Sequence, residues 1–289
     1  MRTLVSPSTL RSPGGKIGYA VIFACTLLLF VIAFLFPLYW AVTGAMKSPQ
    51  ELAQTPATFI PTEWHPETFA DAWDQLSLGK YFLNTVIVAG GAWLAQLAID
   101  VPAAFALSKL RPKFGNVVLG LMLATLMLPA AALLVPTYVT ITDLPLLDIN
   151  LINSPAAVWL PAAANAFNIY LLKRFFDQIP DELIEAARLD GAGPVRTLWR
   201  IILPISRPIL AVVSILAVVA AWKDFIWPLL VFPDTEKQTL SVMLQRVAID
   251  MPLNVLVAGM VLASLPMVAL FLAFQRHILA GLTAGSLKG

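Results

Sequence analysis

The sequence predicts an all-α integral membrane protein, with six transmembrane helices and one cytoplasmic helix-turn-helix loop. Three observations lead there. Only 12% of the 289 residues are charged and 59% are hydrophobic, against roughly 25% charged in an ordinary soluble domain. The mean hydropathy is +0.81. Several stretches exceed the ~20 mostly apolar residues that a helix needs to cross a hydrocarbon core, and one polar stretch between them is rich in both signs of charge.

Residues 1–16 form a polar N-terminal segment. The run 17–46 has no Asp, Glu, Lys or Arg. It is too long for the apolar part of a signal peptide, and no small-residue cleavage site follows, so it reads as an uncleaved anchor. Cys25, the single cysteine of the chain, excludes a disulfide framework and reads as a buried small hydrophobe. In the outer loop 47–80, Pro49, Pro56, Pro61 and Pro66 argue against a continuous helix before Thr68, and a short interfacial helix is expected over 68–76. Further spans are expected at 81–108, which holds Asp100, at 114–142 and at 149–172. The polar loop 177–207 follows, then 208–232 with Lys223 and Asp224, 251–275, and a tail at 276–289. Residues 17–275 read as one membrane domain. Pro102, Pro129, Pro136, Pro161, Pro228 and Pro266 fall inside spans, where neighbouring helices satisfy the freed carbonyls.

Orientation follows from the basic residues, which concentrate on the cytoplasmic side. With both termini inside, the inner segments hold Arg2, Arg11, Lys16, Lys109, Arg111, Lys113, Lys173, Arg174, Arg188, Arg196, Arg200, Arg207, Arg276 and Lys288. That is fourteen of the nineteen Lys and Arg residues. The loop 177–207 is therefore expected in the cytoplasm.

The loop reads as two short helices and a turn. Asp181 suits an N-cap, and Glu182 and Glu185 sit where a helix dipole favours negative charge. Gly191 suits the left-handed residue that ends a helix. Gly193 and Pro194 match an N-cap and first-turn pair. Val195, Leu198, Trp199 and Ile202 recur at helical spacing and predict one apolar face, with Arg196 and Arg200 on another. By pattern alone this also fits an amphipathic helix lying on a membrane surface.

The spacing is more specific than the pattern. Glu185-Ala186-Ala187, three residues, Gly191, nine residues, Ile201, one residue, then Leu203-Pro204 resembles the signature loop of ATP-binding-cassette importer permeases, with seven positions matched and no gap. Asn84-Thr85-Val86, Leu128-Pro129, Val135-Pro136-Thr137-Tyr138, Phe175-Phe176 before Ile179-Pro180, and Trp222 to Pro228 are similar to the carbohydrate branch of that family. So is the ending from Phe274-Gln275-Arg276 through Gly281 to Gly289, which resembles the maltose and glycerol-phosphate type. The branch usually has Asn where this chain has Lys223.

The resemblance implies a permease subunit of a binding-protein-dependent importer in a bacterial inner membrane, for a sugar or sugar-like solute. It implies two cytoplasmic ATPase subunits, a second homologous permease and an extracytoplasmic solute-binding protein as partners. Glu185, Ala186, Ala187, Arg188, Asp190, Gly191, Ala192, Leu203 and Pro204 would dock the ATPase, and the tail would reach toward its interface. ATP and Mg would be bound by that partner. This chain is expected to hold no cofactor and to bind no nucleic acid. Gly14-Gly15-Lys16 lacks the earlier Gly and the following Ser or Thr of a phosphate loop, and His65 and His277 have no companions at metal-ligand spacing.

A charge at mid-bilayer costs at least ~2.5 kcal/mol on insertion scales, so Asp100, Lys223 and Asp224 are candidates for the solute path. Asn84, Asn165, Asn168 and Trp222 are candidates too, as amides that bind hydroxyls and a ring that stacks on a sugar. Interhelical pairing or interfacial anchoring accounts for the same residue types. Within the importer class the alternative solute is glycerol phosphate or another polyol derivative. An ion-coupled secondary carrier using Asp100 and Asp224 is the alternative from another class. A membrane enzyme finds no clustered His, Cys or paired acids to support it.

Overall fold

The computed structural model describes residues 13–284, with side chains from 14 to 275. The expectation that the tail 276–289 reaches an interface falls outside the described side chains. Among the described residues the chain is helical and has no strand, beyond one isolated bridge between Leu144 and Ile149. In order come α1 (Pro13–Ala45), α2 (Pro49–Leu52), α3 (Thr68–Gln75), α4 (Leu78–Phe105), α5 (Gly115–Thr125), α6 (Ala130–Thr142), α7 (Ala156–Ala162) and α8 (Ala166–Phe176). There follow α9 (Asp181–Leu189), α10 (Pro194–Ile205), α11 (Arg207–Lys223), α12 (Ile226–Val231), α13 (Leu240–Val247) and α14 (Leu253–Ala284).

Among the described residues, the helices that by length and composition could cross a membrane are fewer than the six spans expected. Three are unbroken: Gly14–Ala45, Leu78–Leu110 and Leu253–Gln275. The stretch 114–142 is α5 and α6, bent by 106°. Pro129 starts α6 in an extended conformation, and its ring bars helical backbone at Leu128. α10 and α11 bend by 86° at Ser206, just before Pro208. Counting each bent pair as one span makes five. The expected span 149–172 is instead α7 and α8, separated at Asn165, whose extended backbone lets its side chain cap Asn168 N–H at 3.1 Å. The span expected at 208–232 breaks at Asp224, also extended.

The chain divides into two compact units, one of residues up to Gln75 with Asp250–Leu262, the other of Leu76–Ile249 with residues from Ala263 on. In the first, α1 leaves its apolar side chains exposed, and Cys25 with them. Its expected burial is thus corrected: an apolar helix suited to lipid needs no partner within its own chain to shield it. The stretch between α1 and α3 is organised by Glu51. Thr58 Oγ1 donates to its carboxylate at 2.6 Å and Thr62 Oγ1 at 2.8 Å. The Thr58 bond, with those from Thr62 and the charge of Lys47, holds Glu51 below the usual carboxylate range against the opposing pull of burial. α3 begins at Thr68 as expected.

In the second unit α4 is central and packs against α7, α8 and α11. Lipid tails are as apolar as leucine, so helices in a bilayer associate through close packing and hydrogen bonds rather than exclusion from water. Gly91 illustrates the packing. A Cβ there would lie 2.1 Å from the Trp159 ring, which is held in place by its Nε1–H donating to Val88 O at 3.1 Å. A larger apolar cluster joins Val101, Ala104 and Phe105 of α4 to Ile169, Leu172 and Phe176 of α8. It continues through Ile179 and Ile184 to Leu198, Ile202, Ile209 and Val213. The start of α9 and the middle of α10 are thereby rooted in the helix core.

Candidate functional site

Two features of the second unit concentrate polar chemistry: the α9–α10 loop and a cavity beside α4. The loop ends α9 through a glycine turn. Gly191 sits at φ +74°, its N–H donates to Arg188 O at 3.0 Å, and Ala192 N–H donates to Ala187 O at 2.8 Å. These two bonds close the helix end and satisfy carbonyls that would otherwise be orphaned. Gly193 then caps α10 and Pro194 starts it, as the sequence suggests. Glu185, Ala186, Arg188, Asp190 and Pro204 are exposed, Ala192 and Leu203 half-buried, and Ala187 is buried. Leu189, Val195 and Trp199 are also exposed.

Two local expectations are corrected. Pro180, not Asp181, occupies the N-cap position of α9, because the Asp181 carboxylate is used elsewhere. It accepts from Lys109 Nζ at 2.7 Å and from an Arg111 guanidinium N–H at 2.8 Å. The apolar face predicted for α10 is split: Leu198 and Ile202 are buried while Val195 and Trp199 face outward. A π-helical turn at Leu198–Ile202 turns the helix away from the regular period on which that face was drawn.

The loop is tied to the end of α4 by charges. α4 continues into a π-helical turn, Ala106–Leu110, closed by Arg111 in a left-handed conformation. This turn buries both Ser108 and Lys109. Lys109 Nζ also donates to Ile179 O at 2.6 Å. Ser108 Oγ donates to Asp177 at 2.7 Å, and Lys173 Nζ reaches its other oxygen at 2.8 Å. The bond and charge of Lys109, then Arg111, hold Asp181 below the usual carboxylate range. Burial pushes Asp177 up, but the bonds from Lys173 and Ser108 and the charges of Lys173 and Lys109 prevail and hold it low.

The cavity, of about 280 Å³, is lined by Gln96 on α4, Thr137 on α6, Asp224 between α11 and α12, and Trp227 on α12, with small and apolar side chains such as Ala92 and Ala220. Gln96 Oε1 accepts from Asn168 Nδ2 at 2.9 Å. Asn165 N–H in turn donates to Asp100 Oδ1 at 2.9 Å. The sequence candidates Asp100, Asn165 and Asn168 thus come together behind Gln96, in a network buried except at the half-buried Asn165. Asp100 is fully buried, and its Oδ2 has no hydrogen-bond partner among the described residues. Asp224, half-buried, lies at the extended break that ends α11.

The other path candidates stand apart from this cavity. Asn84 Nδ2 donates to the carbonyls of Glu236 and Gln238 at 2.8 and 3.0 Å. Trp222 Nε1 donates to Ala263 O at 3.3 Å, and its ring lies 6.0 Å from that of Phe82. Lys223 is exposed and is not among the lining residues. Gln96, Thr137, Trp227 and the Ser108–Lys109–Arg111 group were not among the site candidates drawn from sequence. Gln96 carried a usable signal, since it lies four residues before Asp100 and so on the same helix face.

Residues 100–283 match the family described as “Binding-protein-dependent transport system inner membrane component”. A probable ABC transporter permease protein of Bacillus subtilis, YurM, is 35% identical over 91% of this chain and 87% of its own length. The sn-glycerol-3-phosphate transport system permease protein UgpE of Yersinia pestis is 30% identical over 89% and 93%. The melibiose/raffinose/stachyose import permease protein MelC of Bacillus subtilis is 30% identical over 88% and 91%. Among solved structures, a chain of a bacterial ABC transporter involved in alginate import superposes with a TM-score of 0.80 at 24% identity, covering 92% of this chain and 98% of that one. This last likeness establishes the fold.

Proposed function

The chain belongs to the family of binding-protein-dependent transport system inner membrane components, and from that premise we propose that it forms half of the membrane path for a neutral sugar or sugar-like solute. The family works with ATPase subunits and a solute-binding protein. For this chain, the partners would be two cytoplasmic ATPases, a second homologous permease completing the path, and a binding protein resting on the outer loops. ATP and Mg belong to the ATPases. Both termini and the loop 177–207 face the cytoplasm, where Glu185 to Ala192 meet an ATPase. The domain organisation is then a cytoplasmic segment to residue 16, a membrane domain to 275 and a cytoplasmic tail.

The observation that carries the solute class is the cavity lining. An amide, a hydroxyl, a carboxylate and an indole converge on a small apolar hollow, the usual composition of a site for a small polar ligand. Amide and carboxylate bind hydroxyl groups, and the indole offers a face to a sugar ring. The ionisable group of the lining is Asp224, an acid, and no Lys or Arg accompanies it. A phosphate there would meet like charge in a poorly solvated place. UgpE relatives transport a phosphate ester, whereas MelC carries neutral oligosaccharides, and the lining favours the second kind.

The test is uptake by the complete transporter in proteoliposomes. Neutral sugars should be accumulated and should compete with one another. Gln96→Leu should raise the half-saturating solute concentration about tenfold, the equivalent of one lost hydrogen bond to a polar ligand. Selective uptake of glycerol 3-phosphate with indifference to neutral sugars would overturn the solute class.

A further inference from the structure

α4 and its π-helical extension run unbroken from Leu78 to Leu110, a length of about 50 Å. Directional polar bonds hold it at three levels. Near its start, Lys80 pairs with Glu236, and Asn84 clamps the backbone of the same outer loop. At mid-length, Gln96 and Asp100 join it to α8 and the break before α8. At its far end, Lys109 and Arg111 hold Asp181, the first residue of α9.

We propose that the Lys109–Asp181–Arg111 joint is the link through which α9 drives α4, so that displacement of the loop by an ATPase reaches the cavity wall at Gln96. The proposal rests on the transport reading above. α9 is otherwise anchored by Ile179 and Ile184 in the apolar cluster, and apolar contact is non-directional: it keeps α9 attached but lets it slide. Charge-assisted hydrogen bonds of 2.7 and 2.8 Å fix direction as well as distance. Lys109 carries the larger part. Its side chain is 1% exposed and it grips Ile179 O as well as Asp181. Arg111 is 66% exposed, where an ion pair contributes less. The π-helical turn turns Lys109 inward, and such turns recur at functional positions. Lys109, which is buried, and Asp181, which is tied to two cations, are therefore positioning residues, distinct from the Glu185 to Ala192 stretch that would touch an ATPase.

The measurement is solute transported per ATP hydrolysed by the complete transporter, with the ATPase retained by the purified complex measured alongside. Asp181→Asn keeps the shape and removes the charge. It should retain the ATPase and its hydrolysis but lower solute per ATP at least about fivefold, as expected for loss of charged hydrogen bonds. Arg111→Gln, on the exposed side, should act in the same direction and less strongly, and Lys109→Arg should restore most of the ratio lost in Lys109→Met. A role limited to folding would lower transport and hydrolysis in proportion, leaving the ratio unchanged; that result, or loss of the ATPase with the charge, overturns the joint. Absence of ATP-driven uptake by the unaltered transporter would overturn the transport reading itself, before any variant is compared.

Discussion

The α9–α10 loop and the cavity beside Gln96 share one helix, α4, and are built in opposite ways. At the loop end, the charged side chains of α4's extension are paired, and even the buried Lys109 has two acceptors. At the cavity, α4 presents small side chains and one amide, and the surrounding helices are broken at Pro129, Asn165 and Asp224. Space of about 280 Å³ remains, and behind it Asp100 Oδ2 has no hydrogen-bond partner among the described residues. On the proposed reading, directional bonds prevail where a displacement would be handed on, and small residues with interrupted helices where a solute would fit. The two requirements conflict: full satisfaction of every polar group would close the cavity, and open space at the joint would let it slip.

The sharpest way to break the contrast is to fill the cavity region. Gly91→Ala places a methyl group against the Trp159 ring and should cost about 3 kcal/mol, seen as early thermal unfolding in detergent. Asp100→Ala should come next, at about 2 kcal/mol, because it leaves the Asn165 N–H unpaired. Asp100→Asn keeps an acceptor at that place, so its uptake should stay within about twofold of the parent. Complete loss of uptake in Asp100→Asn would instead point to a titrating role. At the loop, Gly191→Ala meets no neighbour but is strained at φ +74°. It should cost about 1 kcal/mol and weaken ATPase retention in pull-down from detergent.

The smallest effect is electrostatic. Lys109, by bond and charge, and then Arg111, depress the titration of Asp181. Its contribution to stability is therefore present above the unfolded carboxylate value of about 4 and is lost as pH falls through the lower folded value. Thermal unfolding of the parent should show an added loss below about pH 4 that Asp181→Asn lacks. Identical pH profiles would show that the ion pairs contribute nothing measurable to stability.

Local features were legible in the chain before any packing was known. The start of α3 after a proline-rich stretch, the left-handed turn at Gly191 and the Gly193-Pro194 start of α10 each depend on one or two residues' own backbone preferences. Features set by neighbours were not. Lys109 reads as one more cytoplasmic charge until the π-helical turn and Asp181 are seen together. Val195 and Trp199 share a helical period with Leu198 and Ile202, yet the same kind of turn separates the two pairs. Asn84 has the chemistry of a sugar ligand and spends it on backbone carbonyls.

By itself, the sequence determined the membrane class, because 59% hydrophobic residues in long uncharged runs leave a bilayer as the matching solvent. It also determined the loop with its glycine turn, since spacing and backbone preference are properties of consecutive residues. Only the tertiary structure decided how many helices run unbroken, which candidates meet at the cavity, and that Asp181 serves α4 instead of capping its own helix. Those outcomes depend on which groups from distant segments compete for the same hydrogen bond, and inside a membrane domain, where water is not there to satisfy the loser, that competition decides where each polar side chain points.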